Sequence, residues 1–137
     1  MIRSVTANHA FVSLDENALV AETAKALYEM EDSSVIVTGN DAASQARIPV
    51  EIITERDIIF RVVAQNRGPF KVELRDIMSH PLITISDDMS ASKALSMMKR
   101  RSVNKLPVVD KKRRLVGLIT MPRLVRNLPT NKDARTV

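Results

Sequence analysis

The 137-residue chain contains an internal repeat, which limits its fold more than any other feature of the sequence. Three segments recur in the same order, pairing 12–17 with 83–88, 33–37 with 104–108, and 50–54 with 116–120. The first two pairs are 71 residues apart and the third is 66 apart, because the first copy has five extra loop residues. Copies of about 60 residues are marginal as independent domains, so we expect them to share one core with pseudo-two-fold symmetry.

Each copy is predicted to form a strand, a helix, a second strand, a hairpin loop, a third strand and a final helix. Apolar residues at helical spacing indicate the first helix of each copy. Polar residues at 39–45 and 110–114, between apolar runs, indicate the hairpin turns. The predicted fold class is therefore α/β (α+β), with two repeats that each form a small sheet with flanking helices.

The domain boundaries follow from the repeat and from one helix-breaking dipeptide. Gly68-Pro69 is expected to end the helix that begins after Thr54. The predicted boundaries are 1–66 for the first repeat, 67–71 for a linker, 72–128 for the second repeat and 129–137 for a flexible tail.

The charge of the chain differs between the two copies and narrows the classes of function. The net charge of +5 divides into −4 for residues 1–70 and +9 for residues 71–137. Three Phe and one Tyr, without Trp, argue against an aromatic platform for single-stranded nucleic acid. No Cys and only two His argue against thiol chemistry and a zinc site. Without a signal peptide or a membrane-spanning apolar run, we expect a cytoplasmic protein with no membrane partner.

Thr54 and Asp57 form a motif at the point where the third strand of the first copy meets a helix. Two interpretations are open from the residues alone. In the first, the two side chains form a capping box that only satisfies backbone donors at the helix start. In the second, the Thr54 hydroxyl and the backbone amides bind a phosphate, and the Asp57 carboxylate accepts hydrogen bonds from the two vicinal hydroxyls of a ribose.

The order and spacing of these segments resemble the cystathionine beta-synthase (CBS) domain, and the pair resembles a Bateman module, over about residues 1–128. The most specific segments are 75–79 (RDIMS), 106–110 (LPVVD) and a terminal pattern of Gly, two apolar residues, Thr, two variable residues and Asp. The resemblance implies that the Thr or Ser binds phosphate, that the Asp binds ribose and that each cleft draws residues from both copies. It also implies a homodimer that associates through helices.

Carried onto this sequence, the resemblance implies two unequal clefts. The nucleotide-binding cleft would be lined by Thr54, Arg56 and Asp57 on one side and by Thr84, Val103, Asn104, Lys105 and Pro107 on the other. The weaker second cleft would contain Ser13, Asp32, Ser33, Ser34, Thr120 and Arg123. Arg123 replaces the ribose carboxylate there, which argues against a nucleotide. In the first copy Glu51 stands where the motif has Gly117 in the second, a departure that would narrow the cleft or repel a phosphate.

We therefore expect a regulatory module, not an enzyme, that senses an adenine nucleotide and signals to an unidentified effector protein. No cofactor, metal or catalytic residue is expected. AMP, ADP and ATP are the expected ligands; S-adenosylmethionine stays open, although Arg56 and Lys105 favour a phosphorylated ligand. One alternative is a nucleic-acid-binding protein that uses the basic second half, including Lys111, Lys112, Arg113 and Arg114. Another is a purely structural dimerisation module.

Overall fold

The computed structural model describes residues 2, 11–30, 34–42, 46–78, 82–126 and 128. The predicted tail, 129–137, lies outside the described residues. The chain divides into two compact units, one formed by Phe11–Leu82 and the other by Met1–Ala10 together with Ile83–Val137. Each unit contains one three-stranded sheet with flanking helices, which confirms the predicted fold class.

The unit of residues 11–82 has strands β1 (Ser13–Asp15), β2 (Ser34–Asn40) and β3 (Arg47–Thr54), hydrogen-bonded in that order. Helix α1 (Val20–Met30) connects β1 to β2, which run parallel, and a hairpin connects β2 to the antiparallel β3. Helix α2 (Glu55–Ile58) starts directly after β3 and continues as a π-helical turn at Ile59–Val63. The sheet and α1 enclose an aliphatic core of Val20, Leu27, Val35, Val37 and Ile53, among others.

The other unit repeats this arrangement. Its strands are β4 (Ile85–Ser86), β5 (Lys105–Val109) and β6 (Leu115–Thr120), with β4 parallel and β6 antiparallel to β5. Helix α3 (Ala91–Arg101) connects β4 to β5, and helix α4 (Met121–Arg126) follows β6. The core of this unit contains Ile85, Ala94, Met98, Leu106, Val108, Ile119 and Leu124.

Two lead-in segments, Ile2 at the start of the predicted first repeat and Leu74–Ile77 at the start of the second, belong to the unit of the other repeat. Ile2 is fully buried in the core of the second repeat, and its N–H donates to the carbonyl of Met89 at 2.8 Å. Residues Leu74–Ile77 form a 3-10 turn in the unit of the first repeat, where the N–H of Leu74 donates to Ala18 O at 2.9 Å. Each lead-in segment therefore packs with the sheet of the other repeat. The sequence pattern did not predict this exchange of the lead-in segments.

Two predicted turns differ from the structure in detail. The helix after Thr54 ends at Val63, before Gly68-Pro69, and Asn66 then takes a left-handed φ of 58°. Asn is one of the few non-glycine residues that readily adopt this conformation, so it ends the helix before the proline is reached. Strand β2 also extends through Gly39 and Asn40, which pair with β3, so the first hairpin turn begins at residue 41.

Candidate functional site

Thr54 and Asp57 form the capping box that the sequence allowed. Thr54 has extended backbone angles, and its hydroxyl accepts the N–H of Asp57 at 3.2 Å. In return, Asp57 Oδ2 accepts the backbone N–H of Thr54 at 2.8 Å and the Thr54 hydroxyl at 3.0 Å. Both side chains are half-buried. The capping interpretation is thus realised, and the same geometry sets a hydroxyl and a carboxylate side by side at the end of β3.

Two further polar residues lie near this turn, a buried serine and an arginine that stacks on a phenylalanine ring. Ser34 begins β2, is buried, and pairs directly with Thr54 across the sheet. Arg56 is exposed, and its guanidinium lies over the ring of Phe60 at 5.0 Å from the centroid. This cation–π contact directs the Arg56 side chain along the helix surface. The resemblance assigned Ser34 to the weaker cleft, but within this unit it is a neighbour of Thr54.

Glu51 has a cation partner that the sequence analysis missed. Its carboxylate is buried and lies 3.4 Å from Nη1 of Arg61. The same guanidinium donates to the carbonyl of Ile77 at 2.6 Å and contacts Asp57 Oδ1 at 3.4 Å. The negative charge of Glu51 is therefore compensated within this unit. The i, i+4 spacing of Asp57 and Arg61 predicted only their own contact, and the sequence had no signal for the contact of Arg61 with Glu51.

The second repeat has a corresponding but cationic turn. Lys105 pairs with Thr120 across β5 and β6, and the N–H of Met121 donates to the carbonyl of Asn104 at 2.8 Å. The hydroxyl of Thr120 accepts the N–H of Arg123 at 3.4 Å, a longer bond than its counterpart at Thr54. Asn104, Lys105, Thr120 and Arg123 are therefore neighbours within one unit, although the resemblance divided them between two clefts.

The remaining predicted site residues are distributed over both units. Thr84 directly precedes β4, Val103 precedes β5, and Pro107 is buried in the middle of β5. Ser13 is exposed at the start of β1, paired with Ile36. Ser33 and Asp32 lie outside the described residues. The residues that would share the nucleotide-binding cleft thus belong to different units, and their joint cleft stays a prediction.

The basic turn between β5 and β6 is ordered by one carboxylate. Asp110 Oδ1 accepts the backbone N–H groups of Lys112 and Arg114, both at 2.9 Å, and Oδ2 accepts Arg114 Nε at 2.8 Å. Desolvation raises the pKa of Asp110, but these hydrogen bonds outweigh it and leave the pKa lowered. A shallow cavity of about 240 Å³ is lined by Asp87, Asp110, Lys111, Lys112 and Arg114. Two carboxylates and three cations therefore line this cavity.

The described part of the chain lacks two further features. No helix there is long and apolar enough to cross a membrane. Within the same residues, no group of three or more His, Asp or Glu side chains is arranged to hold a metal ion.

Comparison with known proteins identifies the family. Residues 74–130 match the family model of the CBS domain. The chain contains a CBS domain, at residues 74–130. A solved CBS domain protein of Pyrobaculum aerophilum, complexed with AMP, is 25% identical, with a TM-score of 0.75 and coverage of 99% of this chain and 98% of that chain. The CBS fold inferred from the repeat is therefore confirmed.

Curated relatives of this CBS-domain protein are longer than the matched region. An uncharacterized protein of Methanopyrus kandleri is 41% identical over 81 residues, or 59% of this chain and 41% of that protein. An inosine-5'-monophosphate dehydrogenase of Mycobacterium tuberculosis is 41% identical over 78 residues, or 56% of this chain. That match covers 14% of the enzyme, in its CBS part and not its catalytic region. The chain spans about half the length of the first two curated relatives, at 41% and 57%.

Proposed function

We propose that this CBS-domain protein binds an adenine nucleotide at the Thr54–Asp57 turn and passes the bound state to a partner protein. The observation that carries the proposal is the pair of side chains at the end of β3, where the Thr54 hydroxyl lies 3.0 Å from the Asp57 carboxylate. A hydroxyl can donate to a phosphate, and a carboxylate can accept from the hydroxyls of a ribose. The AMP complex of the Pyrobaculum relative supports the choice of an adenine nucleotide.

The hydrogen bonds of the turn suggest how phosphate and ribose would bind together. A carboxylate has about four acceptor positions, and contacts with Thr54 and Arg61 occupy three of those on Asp57 in the described part of the chain. A ribose with two donor hydroxyls needs two positions. If the Thr54 hydroxyl turns its single hydrogen towards the ligand's phosphate, it vacates one position on Asp57. Phosphate binding would thereby favour ribose binding.

The opposite wall of the cleft is proposed from the family resemblance. In this proposal Lys105 and Arg56 provide positive charge for the phosphate, and Val103 and Pro107 provide an apolar surface for the base. Binding, without catalysis, would change the equilibrium between two arrangements of the protein. This requires that one arrangement binds the ligand more tightly than the other. An effector protein would recognise one arrangement.

Thermal unfolding of the purified chain with a panel of ligands tests this proposal. We expect AMP, ADP and ATP to raise the melting temperature by several degrees, since a ligand at 100 times its Kd stabilises the folded state by about 2.7 kcal/mol. GMP and S-adenosylmethionine should raise it less, because one has the wrong base and the other lacks a phosphate. The proposal fails if no adenine nucleotide exceeds the effect of sodium chloride at equal ionic strength.

We also propose that the protein is a homodimer that associates through the helix after β3. The exposed fractions of Ile59, Phe60 and Val63 are 53%, 54% and 63%, so the helix presents an apolar surface. Light scattering should give about twice the chain mass of 15.3 kDa, and Val63→Glu should give the mass of the single chain. A monomer for the unchanged chain at micromolar concentration would contradict the proposed dimer.

A further inference from the structure

Arg61 is held by three groups that come from separate parts of one unit. Its Nη1 donates to the carbonyl of Ile77 at 2.6 Å and lies 3.4 Å from the carboxylate of Glu51. Its Nη2 lies 3.4 Å from Oδ1 of Asp57. The short bond to Ile77 and the contact with Glu51 both use Nη1, which leaves Nη2 of the planar guanidinium for Asp57.

The anchors of Arg61 are more buried than the Asp57 side chain that it contacts through Nη2. Ile77 is 4% exposed and belongs to the core, and Glu51 is 6% exposed within β3. The Asp57 side chain is 22% exposed, at the start of α2. Thr54 already holds Oδ2 of Asp57 through two hydrogen bonds, so the contact with the anchored guanidinium restricts the remaining oxygen, Oδ1.

The second repeat provides an internal comparison for this set of residues. At the spacing of 66 residues that aligns Thr54 with Thr120, the counterparts of Glu51, Asp57 and Arg61 in the sequence are Gly117, Arg123 and Asn127. All three residues of the set are replaced. Strand β6 and helix α4 nevertheless form in the second repeat, so the fold does not require the set. The repeat that has a carboxylate at the position of Asp57 also has the Glu51–Arg61 pair, and the repeat without that carboxylate has neither residue of the pair.

We infer that Arg61 is a positioning residue of the nucleotide site, which holds the Asp57 carboxylate in the orientation that receives the ribose hydroxyls. This inference rests on the proposed function. It also gives Glu51 a role. Glu51 replaces the Gly of the family motif, and its carboxylate anchors Arg61. Arg61 itself does not touch the ligand in this arrangement.

The preference for ribose over deoxyribose tests this role. The affinity of the full chain for AMP and for 2'-deoxy-AMP is measured by calorimetry for the unchanged protein, Arg61→Met and Arg75→Met. A hydrogen bond to a charged group contributes about 1.5–3 kcal/mol, so the unchanged protein should prefer AMP by about tenfold or more. Arg61→Met should reduce this preference to about threefold or less, because Oδ1 of Asp57 is no longer held in position.

Arg75→Met is the matched control. Arg75 is an exposed arginine of the same unit, and its Nε lies 2.9 Å from Oε1 of Glu73. The control variant removes the same positive charge and the same ion-pair chemistry, but Arg75 has no contact with Asp57. It should keep the full preference for AMP. If Arg61→Met does not give a cooperative melting transition, Glu51→Gln/Arg61→Met replaces it, since this variant also removes the buried charge of Glu51.

Each outcome decides between the two claims. Loss of the preference in Arg61→Met alone supports the inference. If Arg61→Met binds both nucleotides more weakly by the same factor, Arg61 acts only through charge or stability, and the inference is overturned. If the unchanged protein binds both nucleotides equally, the inference also fails, while nucleotide binding stands. If the unchanged protein does not bind AMP, the proposed function fails and the inference fails with it.

Discussion

Replacement of Ile2 by Ala is expected to lower the free energy of unfolding by about 2–5 kcal/mol, the usual cost of truncating a buried Ile. Ile2 is 0% exposed and packs in the core with residues such as Met98 and Ile119. Truncation would leave a cavity in a core without large aromatic side chains to refill it. The loss is expected as a lower midpoint in urea with an unchanged slope.

Val125→Ala is the control for this effect. Val125 belongs to the same unit but is 54% exposed on α4, so its truncation should change the stability by no more than about 0.5 kcal/mol. Equal effects of Ile2→Ala and Val125→Ala would contradict the exchange of the lead-in segments, because Ile2 would then contribute no more than a surface residue.

Asp57→Asn is expected to weaken AMP binding by about 10- to 150-fold, which corresponds to the 1.5–3 kcal/mol of a hydrogen bond to a charged group. The amide oxygen of Asn can still accept the N–H of Thr54, so the capping box and the fold should persist. The variant loses the negative charge and one acceptor oxygen, which a ribose with two hydroxyls requires. Calorimetry on the folded variant measures the change directly.

Asp76→Asn is the matched control for this change. Asp76 Oδ2 accepts the backbone N–H of Glu73 at 3.0 Å in a capping box of the same kind, at the 3-10 turn Leu74–Ile77. It lies in the same unit but is not among the predicted binding residues. AMP should bind this variant as tightly as the unchanged protein. Equal losses in Asp57→Asn and Asp76→Asn would show that the effect comes from capping and not from a ribose contact.

The repeat predicted the elements well because the same pattern occurs twice in one chain. A short alternating segment such as 83–88 is weak evidence for a strand. Because 12–17 has the same pattern at the same place in the other repeat, each segment supports the strand prediction for the other. The exchange of the lead-in segments was not predictable in this way. Ile2 lies in a short segment, MIRSV, that is too short to show a periodic pattern, and its place in the core depends on tertiary packing.

The candidate site was predictable in its motif but not in its supporting contacts. Thr54 and Asp57 are three residues apart, so their contact follows from helix geometry. The bond between Arg61 and the Ile77 carbonyl joins residues 16 positions apart and depends on how the chain turns after α2. Glu51 therefore looked like an uncompensated charge in the sequence, whereas the structure pairs it with Arg61.

The central claim, that an adenine nucleotide binds at the Thr54–Asp57 turn, is tested most directly by NMR titration of the labelled full chain with AMP. The amide of Asp57 donates to the Thr54 hydroxyl, and the amide of Asp76 donates to the carbonyl of Glu73 at the 3-10 turn of the same unit. We predict a saturable shift of the Asp57 amide resonance, with little change at Asp76. An unmoved Asp57 resonance, with shifts confined to residues 111–114, would contradict the claim and indicate binding of phosphate to the basic turn.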